Sequence, residues 1–586
     1  MLRDLERRWL LYTLIAWAAV AAWFLWDRWN AIRWLSLGDT DDNMRLMQVR
    51  AWLGGQGWYD LRQYRMNPPQ GFDIHWSRIV DLPIAGLTLF FRLFTSSYWA
   101  ERLAAGVAPL IPLAVVFACV AATVRRLVAP LAWTLALGFL VTGAALTMLQ
   151  FAPMRIDHHG WQLACLAVTV AGLGDPRQVR GGLSVGLASA VSLSIGLELL
   201  PYAAMAGAII ALRWIWDAGE ARRLATYALG LGGGGALGFL AFASEANRAL
   251  RCDALTPVWL SVVAAAGALL ALLALASPRS PGVRLALAAA AGAAIVAGFA
   301  LAFPQCLGRP EQVSDELART WLNNVREAKP FYQHPFRTAF PLIALPVVGL
   351  IGAAFATWRA RRGPNAVGWA AVALFAAFAV AMLFWQARAG AAAQLLAIPG
   401  ATALAWAVVP WFRRSPSVLA RVLGPVVVLL VASGLFAGLV VRYFKIDAPK
   451  AYARRVNAAT GECTRTSRLL LLNRVPAATV FTHVDLGPRL ITVTHHNAIA
   501  GPYHRNGDAI LDVHHAFGGS PAQARRIMRR HGATLMLVCP DMTESTIYRA
   551  RHPGGFYDRL AKGETFPWLT PVPLPRGAPY RLYRIG

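Results

Sequence analysis

Long apolar stretches recur along the first three quarters of the chain and are separated by short polar ones. Runs of about 20 apolar residues, the length that crosses a bilayer as a helix, lie at 9–26, 103–124, 130–150, 161–174, 183–200, 201–216, 226–245, 258–277, 284–304, 338–357, 366–386, 390–411 and 421–442. The pattern predicts thirteen membrane-spanning helices. The glycine-rich sequence within 226–245 is typical of membrane helices that approach closely, so we expect helix packing there and not a linker.

Arginines in the short loops indicate the orientation of these helices. Arg3, Arg7 and Arg8 precede the first apolar run, and further arginines lie in the loops at 124–126, 175–182, 217–223, 277–284, 357–365 and 412–421. With thirteen crossings all seven groups face one side, which the positive-inside rule makes cytoplasmic. The first run lacks a small-residue cleavage site and is predicted to be a signal anchor. We therefore expect a multi-pass protein of the cell (inner) membrane with a cytoplasmic N-terminus.

Three segments outside the membrane are too long to be simple connections. They are the external loops 27–100 and 305–337 and the C-terminal region 443–586. Strand-like runs at 478–484, 489–496 and 534–540 and a helix at 520–532, capped by Ser520, predict a small α/β domain. The predicted fold class is a polytopic α-helical membrane domain, residues 1–442, followed by an extracytoplasmic α/β domain, residues 443–586.

Composition supports the membrane assignment. Hydrophobic residues make up 57% of the chain and charged residues 15%, against about a quarter in soluble proteins. The net charge of +27 is partly a result of topology, so it does not indicate nucleic-acid binding. Cys252 with Cys306, and Cys463 with Cys539, fall in outside segments and could form two disulfides; buried free thiols are the alternative.

Acidic residues gather just after the first predicted span, in the sequence GDTDDNMRL. Asp39 or Thr40 could cap a helix, with Asp41 and Asp42 favourably placed in its first turn. A second polar group, MRIDHHGWQ at 154–162, places Asp157 and the nearby histidines at a membrane boundary, where such residues are costly. Asp157 and His159 could offer one oxygen and one nitrogen to a metal, although a hydrogen-bonded loop would also explain them.

A third acidic group, EQVSDELARTW at 311–321, carries Asp315 and Glu316 behind a potential cap, Ser314. Each group alone is compatible with an ordinary helix start. All three are predicted on the same outer face, however, and together they could form a carboxylate-rich site for a divalent cation.

The layout and these motifs resemble the catalytic subunit of oligosaccharyltransferase, in the GT-C superfamily of membrane glycosyltransferases. In that family an Asp precedes an Arg by six residues, as Asp39 precedes Arg45. The sequence IDHHG is similar to the family's Asp-His-His motif, and VSDELARTW is similar to its fifth-loop acidic motif. The resemblance implies Asp39, Asp157 and His159 as ligands of Mn²⁺ or Mg²⁺, and Asp39 with Asp315 or Glu316 as catalytic acids.

The resemblance also implies a polyprenyl-(pyro)phosphate sugar donor, whose phosphate Arg388 would bind in WQARAGAAAQLLAIP, residues 385–399. The first external loop adds His75 and Arg78 as candidate phosphate-binding residues, in an aromatic segment that could equally anchor the loop at the membrane interface. Only an Asp and a Gly of the family's WWDYG motif survive, in FTHVDLGPRL at 481–490. We therefore expect a lipid, glycan or protein acceptor, contacted by Asp485, Tyr503, His504 and Arg505.

Three alternatives stay open. A single-sugar transferase could modify an envelope lipid or polysaccharide through the same chemistry. A secondary transporter would need charged groups near the midplane of the membrane, for which Glu198 beside Pro201 is the strongest candidate. A non-catalytic envelope receptor would not need acids in all three loops.

Overall fold

The computed structural model describes residues 2–444, 446–447 and 450–586. Its first part contains helices and one short hairpin. These are α1 (Leu2–Arg7), α2 (Trp9–Asp27), α3 (Trp29–Arg33), α4 (Thr40–Leu53), β1 (Arg62–Gln63), β2 (Phe72–Asp73), α5 (Asp81–Arg92), α6 (Ser97–Val107), α7 (Leu110–Leu127), α8 (Trp133–Gly143), α9 (Ala145–Leu149), α10 (His159–Leu173), α11 (Gln178–Ile195), α12 (Leu200–Trp216), α13 (Ala221–Phe242), α14 (Pro257–Ala276) and α15 (Pro281–Ala302).

The chain continues through the second long loop and the last apolar helices into the C-terminal domain, residues 450–586. The elements are α16 (Asp315–Thr320), α17 (Phe336–Ala360), α18 (Ala366–Trp385), α19 (Gly390–Arg413), α20 (Val418–Ala432) and α21 (Leu435–Tyr443), then α22 (Ala451–Cys463), α23 (Thr466–Leu469), β3 (Thr479–Phe481), α24 (Gly487–Val493), β4 (Asn497–Ala498), α25 (Gly507–Gly518), α26 (Pro521–Arg530), β5 (Leu535–Val538), α27 (Thr543–Arg551), α28 (Phe556–Ala561), β6 (Leu569–Val572) and β7 (Arg581–Ile585).

Every predicted span coincides with a helix or a pair of consecutive helices. Within the described residues, eight helical segments are long and apolar enough to cross a membrane, or nine if the pair α20 and α21, bent by 91°, counts as one span. The remaining four predicted spans fall on α8 with α9, α10, α11 and α12, which are shorter or less apolar. The polytopic helical fold is thus confirmed, whereas the count of thirteen crossings stays a prediction.

Small residues allow the central helices to approach closely. A Cβ atom on Gly349 of α17 would overlap the backbone of Ala397 in α19, and one on Gly400 of α19 would overlap the carbonyl oxygen of Gly349. The glycine run of α13 follows the same principle, since a Cβ on Gly235 would lie 2.8 Å from the side chain of Val263. The run is helical and serves packing, as the sequence predicted.

The C-terminal domain contains a five-stranded sheet with the order β4-β3-β5-β7-β6. Strand β3 pairs in parallel with β4 and β5, and β7 pairs antiparallel with β5 and β6. Met66 of the first loop forms a parallel bridge to Ala498, so this loop extends the sheet edge at β4. The predicted helix at 520–532 is present as α26, and the Ser520 hydroxyl accepts the Gln523 N–H.

The strand predicted at 489–496 was wrong, because most of that segment forms helix α24. Pro488 lies in its first turn, and Leu490 and Ile491 are buried. The helix packs on α4 of the first loop, where the Thr492 hydroxyl donates to the Asn43 carbonyl oxygen. Alternation of apolar and polar residues over eight positions fits a strand, but contact with another helix decided the outcome.

Both candidate disulfides are formed. Cys252 is bonded to Cys306, and Cys463 is bonded to Cys539. Cys119 and Cys165 are free thiols in α7 and α10. The first disulfide joins the loop after α13 to the segment that follows α15, and the second joins α22 to the end of β5.

Candidate metal and phosphate-transfer site

The acids of the first and second motifs meet at the start of α4. Asp39, Asp42 and Asp157 place ligand oxygens within 4.8 Å of one another. Asp42 and Asp157 are buried, whereas the Asp39 side chain is 43% exposed. Residues separated by more than 110 positions thus form one acidic cluster, with Asp39 as its accessible member.

Local helix chemistry explains how the first motif is shaped. Asp39 caps α4 by accepting the N–H groups of Asp41 and Asp42 at 2.9 and 3.2 Å, and Asp42 accepts the Asp39 N–H at 2.9 Å, which forms a capping box. Asp39 and Asp42 therefore cap the helix and also belong to the acidic cluster. Asp42, expected only as a helix-start or supporting acid, belongs to the cluster itself.

Asp42 also holds the second motif in place. Its Oδ1 accepts the backbone N–H groups of Ile156 and Asp157 at 2.8 and 2.9 Å. The turn is tight, because a Cβ on Gly38 would lie 2.6 Å from Asp42 Oδ2 and 2.9 Å from Arg155 Cδ. A side chain at position 38 would therefore displace the Asp42 carboxylate or the Arg155 side chain from the cluster.

Arg155 is the residue that sequence reasoning missed in this cluster. Its guanidinium contacts Asp39 directly, Asp42 at 3.2 Å and Asp157 at 2.5 Å. It also donates to Gln150 Oε1 at 3.2 Å. The sequence could have indicated Arg155, because it lies two residues before Asp157 and three clustered carboxylates need a positive charge nearby.

His159 completes the second motif. The His159 ring Nδ1 lies 3.0 Å from Asp157 Oδ2, and the His159 backbone N–H donates to Asp157 Oδ1. Burial alone would raise the pKa of Asp157, but His159 and Arg155 outweigh burial and hold that pKa well below its usual range. Burial and the neighbouring charge of Asp39 raise the pKa of Asp41 to about 8. Asp157 is therefore ionised at neutral pH, which is the form that binds a cation.

These residues fit a divalent cation. Asp157 Oδ2 and His159 Nδ1 are buried 3.0 Å apart, and the same oxygen lies 2.5 Å from the Arg155 guanidinium. Carboxylate oxygens with one imidazole nitrogen form a mixed ligand set that accepts Mg²⁺ or Mn²⁺. Asp39, Asp42 and Asp157 are the acids that can contribute, and His159 adjoins them.

Glu198 lies beside this cluster. It follows the end of α11, where its Oε1 is 3.0 Å from His158 Nε2 and its Oε2 accepts from Gln162 at 3.0 Å. The His158 ring stacks on His159 with the ring centroids 4.5 Å apart. Glu198 therefore supports the second motif and does not form a separate site near the middle of the membrane. The transporter alternative loses the residue that favoured it.

Arg45 keeps its spacing from Asp39 but points elsewhere. It is fully buried, bonds Asp81 at 2.9 Å and lies over the Trp76 ring at 4.4 Å. Arg78 is also fully buried, and its guanidinium donates to Asp81 and to the carbonyl oxygens of Gly57 and Asp60. With these donors already used, Arg78 does not fit its predicted contact with a donor phosphate; it holds the first loop together.

His75 is likewise removed from the acids. Its ring lies 4.7 Å from that of His504, and burial together with His504 keeps the pKa of His75 well below its usual value. A neutral imidazole packed against a second histidine is a poor phosphate ligand, which argues against its predicted role.

The fifth-loop acids face the C-terminal domain. Ser314 caps α16 by accepting the Leu317 N–H, and this directs Glu316 to His515 of α25 at 2.6 Å. Asp315 is exposed, and within the described residues no hydrogen bond or ion pair joins either acid to the cluster. Glu327, farther along the same loop, contributes to the raised pKa of Asp41. Of the loop acids, Glu327 therefore has the clearest electrostatic link to the site.

The residues predicted to contact the acceptor have separate positions. The buried Tyr503 donates its hydroxyl to the Thr40 carbonyl oxygen at 2.8 Å. Arg505 bonds both carboxylate oxygens of Asp253 at 2.7 Å, and His504 Nε2 lies 2.6 Å from the same carboxylate. Tyr503 and Arg505 therefore dock the C-terminal domain on the membrane domain, which occupies the polar groups expected to meet an acceptor.

Asp485 is exposed at the start of α24, and Glu544 accepts its backbone N–H at 3.0 Å. One turn later, Arg489 donates to the carbonyl oxygens of Leu37 and Gly38 at 3.1 and 3.0 Å. Sequence reasoning missed Arg489, which ties the C-terminal domain to the two residues before Asp39. The sequence could have indicated Arg489, because it lies four residues after Asp485 in the segment aligned with the family motif.

Arg388 is exposed in the short 3₁₀ turn that leads into α19. Among the described residues no carboxylate lies within ion-pair distance of it. Three residues later, the Ala391 carbonyl oxygen accepts from the Thr147 hydroxyl at 2.7 Å. Thr147 belongs to α9, which leads to Gln150 and its partner Arg155. Arg388 thus lies at the end of α19 that contacts the segment leading to the cluster.

Comparison with known proteins gives no match to a protein-family model or to a curated sequence. Among solved structures, the oligosaccharyltransferase of Archaeoglobus fulgidus tethered with an acceptor peptide containing the NVT sequon aligns at a TM-score of 0.66 and 15% identity. That alignment covers 96% of this chain and 72% of that one. The enzyme AglB of the same organism, in complex with an inhibitory peptide and a dolichol-phosphate, aligns at 0.62 and 14%, covering 91% and 70%.

A third structure, the Archaeoglobus fulgidus oligosaccharyltransferase complex with Zn and sulfate, aligns at a TM-score of 0.59 and 14% identity, covering 90% of this chain and 67% of that one. At sequence identities this low, the structural alignments show a shared fold alone. The chain therefore has the fold of the archaeal oligosaccharyltransferase, a polytopic helical membrane protein with a C-terminal sheet-containing domain, as the sequence resemblance implied.

Proposed function

We propose that this protein is a membrane glycosyltransferase of the GT-C type. It transfers a sugar or oligosaccharide from a polyprenyl-(pyro)phosphate donor to an acceptor on the extracytoplasmic face. The observation that carries the proposal is the acidic cluster, in which Asp39, Asp42 and Asp157 converge within 4.8 Å on a fold shared with an oligosaccharyltransferase. The N-terminus is cytoplasmic in this proposal, and the C-terminal domain is extracytoplasmic.

Each part of the site has a role in this chemistry. Asp39, Asp42, Asp157 and His159 would hold a Mn²⁺ or Mg²⁺ ion, which when bound neutralises charge developing on the leaving phosphate. Arg388, exposed at the end of α19, binds the donor phosphate as a charged hydrogen-bond donor. Asp39 is the accessible carboxylate of the cluster and orients or deprotonates the attacking group. Arg489 holds the backbone that positions Asp39.

The membrane spans match the physical needs of such a donor. A polyprenyl chain stays in the bilayer while its phosphate reaches the interface, where this proposal puts the acidic cluster and the start of α19. Asp485, exposed on the C-terminal domain, supplies a carboxylate toward the acceptor side. Asp315 and Glu316 lie at the same domain boundary and keep their predicted acceptor role as part of this proposal.

The test is donor consumption by the purified protein in lipid nanodiscs. Extracted lipid-linked glycans and Mn²⁺ are added, and loss of donor is followed by mass spectrometry. We expect Asp39→Asn to lower the rate at least 100-fold, because Asn still caps a helix but contributes neither charge nor a base. The matched control is Asp217→Asn, a capping aspartate that accepts the Gly219 N–H on another helix. Equal donor consumption by wild type and Asp39→Asn would refute the assignment.

Binding of the cation is measured separately from turnover. Titration of Mn²⁺ followed by electron paramagnetic resonance should show a site in wild type that Asp157→Asn weakens at least tenfold.

Arg489→Ala should slow donor consumption about tenfold, since the two carbonyl oxygens before Asp39 lose their charged partner. Arg474→Ala, an exposed arginine of the same domain, should leave the rate unchanged.

A further inference from the structure

A second cleft lies between the C-terminal domain and the two external loops. Its volume is about 380 Å³, which is within the range of about 300–1,000 Å³ that is usual for small-ligand sites. Four segments form its walls: the β1–β2 hairpin, the loop at Arg251, the segment around Ser314, and residues 504–511. It shares no residue with the acidic cluster.

The walls are held in place without a ligand. The Asn67 N–H donates to the Ala498 carbonyl oxygen at 2.8 Å, so the hairpin is fixed on strand β4. Leu317 of α16 packs so closely on Gly507 that a Cβ there would lie 2.5 Å from its side chain. Arg251 directly precedes the Cys252–Cys306 disulfide. A preformed cleft binds without first having to order its own loops.

The arginines and aspartates of the lining balance one another once Asp253, which lies behind the wall, is counted with them. Arg62 is paired with Asp73 at 2.8 Å, and Arg505 is paired with Asp253 behind the wall. Arg251 and Asp508 also line the cleft, and in the part of the chain that the structure describes neither side chain has a hydrogen-bond or ion-pair partner. One free donor group and one free acceptor group thus remain in a cleft with no net charge.

This chemistry suits a hydroxylated sugar. Each sugar hydroxyl can donate one hydrogen bond and accept others, so it can bond the Arg251 guanidinium and the Asp508 carboxylate. The side-chain amide of Asn67 offers further donors and an acceptor. An anionic ligand would find Arg62 and Arg505 already neutralised, and an apolar ligand would leave the polar walls without partners.

We propose that this cleft binds a neutral sugar unit of a glycan, and that the glycan is the acceptor of the transferase. The second part rests on the proposed function, whereas sugar binding itself does not. Phe72 in the wall stacks on Tyr503 with the ring centroids 5.5 Å apart, and Tyr503 bonds Thr40 beside Asp39. Phe72 and Tyr503 thus lie between the cleft and the acidic cluster, and the proposal requires an acceptor of several sugar units that reaches from one to the other.

The test uses the full-length protein immobilised in nanodiscs. The probes are oligosaccharides released by mild acid from the envelope of the source cells, labelled with 2-aminobenzamide and separated into neutral and acidic pools by anion exchange. We expect wild type to retain a component of the neutral pool, and Arg251→Ala and Asp508→Asn each to bind it at least tenfold more weakly. Arg526→Ala, an exposed arginine on α26, should bind as wild type does.

The outcomes separate this inference from the proposed function. Asp39→Asn should retain the neutral glycan fully although it fails to consume donor. Absence of any retained neutral oligosaccharide, preferential retention of the acidic pool, or unchanged retention by both cleft variants would each overturn sugar binding at this site. If wild type retains the neutral glycan but Asp39→Asn still consumes donor, the binding site is upheld and the proposed mechanism is rejected.

Discussion

At the scale of single residues, two arginines hold the most accessible acid of the acidic cluster. Arg155 contacts the Asp39 carboxylate, and Arg489 bonds the two carbonyl oxygens just before it. One arginine comes from the membrane domain and the other from the C-terminal domain. The position of Asp39 therefore depends on both domains, which agrees with a site that acts at their boundary.

A buried histidine in the C-terminal domain should make stability depend on pH. Burial lowers the pKa of His483 to about 3, and burial followed by nearby positive charge lowers that of His514 to about 4. An unfolded histidine titrates near pH 6.5, so between about pH 6.5 and 3 the unfolded chain binds protons that the folded chain does not. The free energy of unfolding is therefore predicted to fall as the pH drops through this range.

Thermal unfolding of the full chain at pH 7 and pH 5 checks this prediction. The midpoint should fall less in His483→Gln than in wild type, because glutamine keeps an acceptor for the Cys539 N–H and does not titrate. His495→Gln replaces an exposed histidine that contributes to neither of these two pKa shifts and should keep the wild-type pH dependence. A wild-type midpoint that is the same at both pH values would contradict the account.

At the scale of elements, glycine contacts between α17 and α19 fix the centre of the membrane domain. These helices have little apolar driving force for association inside lipid, so close backbone approach must supply the packing energy. Most side chains of α19 between Gly390 and Ala405 are buried. The position of α19 in turn places Arg388 and the contact between Ala391 and Thr147.

Gly400→Val should disrupt this packing. Its Cβ would overlap the carbonyl oxygen of Gly349, which belongs to a backbone that cannot move aside cheaply. Gly292→Val is the matched control, since no atom lies within 4 Å of a Cβ at that position of α15. Size-exclusion chromatography in detergent should show a monodisperse peak for Gly292→Val and its loss for Gly400→Val. Equal peaks would show that the helix contact is dispensable.

At the scale of the whole molecule, docking of the C-terminal domain depends on buried polar contacts. Arg505 and Asp253 are 4% and 8% exposed, and Arg65 bonds the backbone of the C-terminal domain at Ile491, Thr494 and His496. These contacts join the first external loop and the loop at Asp253 to the C-terminal domain. Arg505 also lines the cleft that we propose to bind a sugar.

Arg505→Ala should loosen the junction. Breaking a buried pair leaves the Asp253 carboxylate with only His504, at a cost on the order of 3–5 kcal/mol. Limited trypsin digestion should then release the C-terminal domain faster than in wild type. Arg455→Ala removes one member of an exposed pair with Asp541, 3.7 Å apart, and should leave the rate unchanged. Equal release by Arg505→Ala would show that other contacts hold the domain.

The sequence by itself determined the membrane helices and the C-terminal sheet domain, whereas the pairing of the four outside cysteines came from the structure. Apolar runs must be helical in a bilayer because backbone groups there find no other hydrogen-bond partners, so hydropathy places the helices well. The sequence also predicted Asp39, Asp157 and His159 as metal ligands, from the family resemblance and because acids and histidines at a membrane boundary are costly unless they are used.

Only the tertiary structure decided which charged residues share a site. Arg45, Arg78 and Arg505 have the same chemistry in the sequence as Arg155 and Arg489, yet the first three are saturated by buried partners and the last two approach Asp39. Spacing along the chain does not reveal the partner of a long side chain, since that partner comes from another element. For the same reason the helix at α24 and the neutral cleft follow from contacts between domains, and no local pattern encodes them.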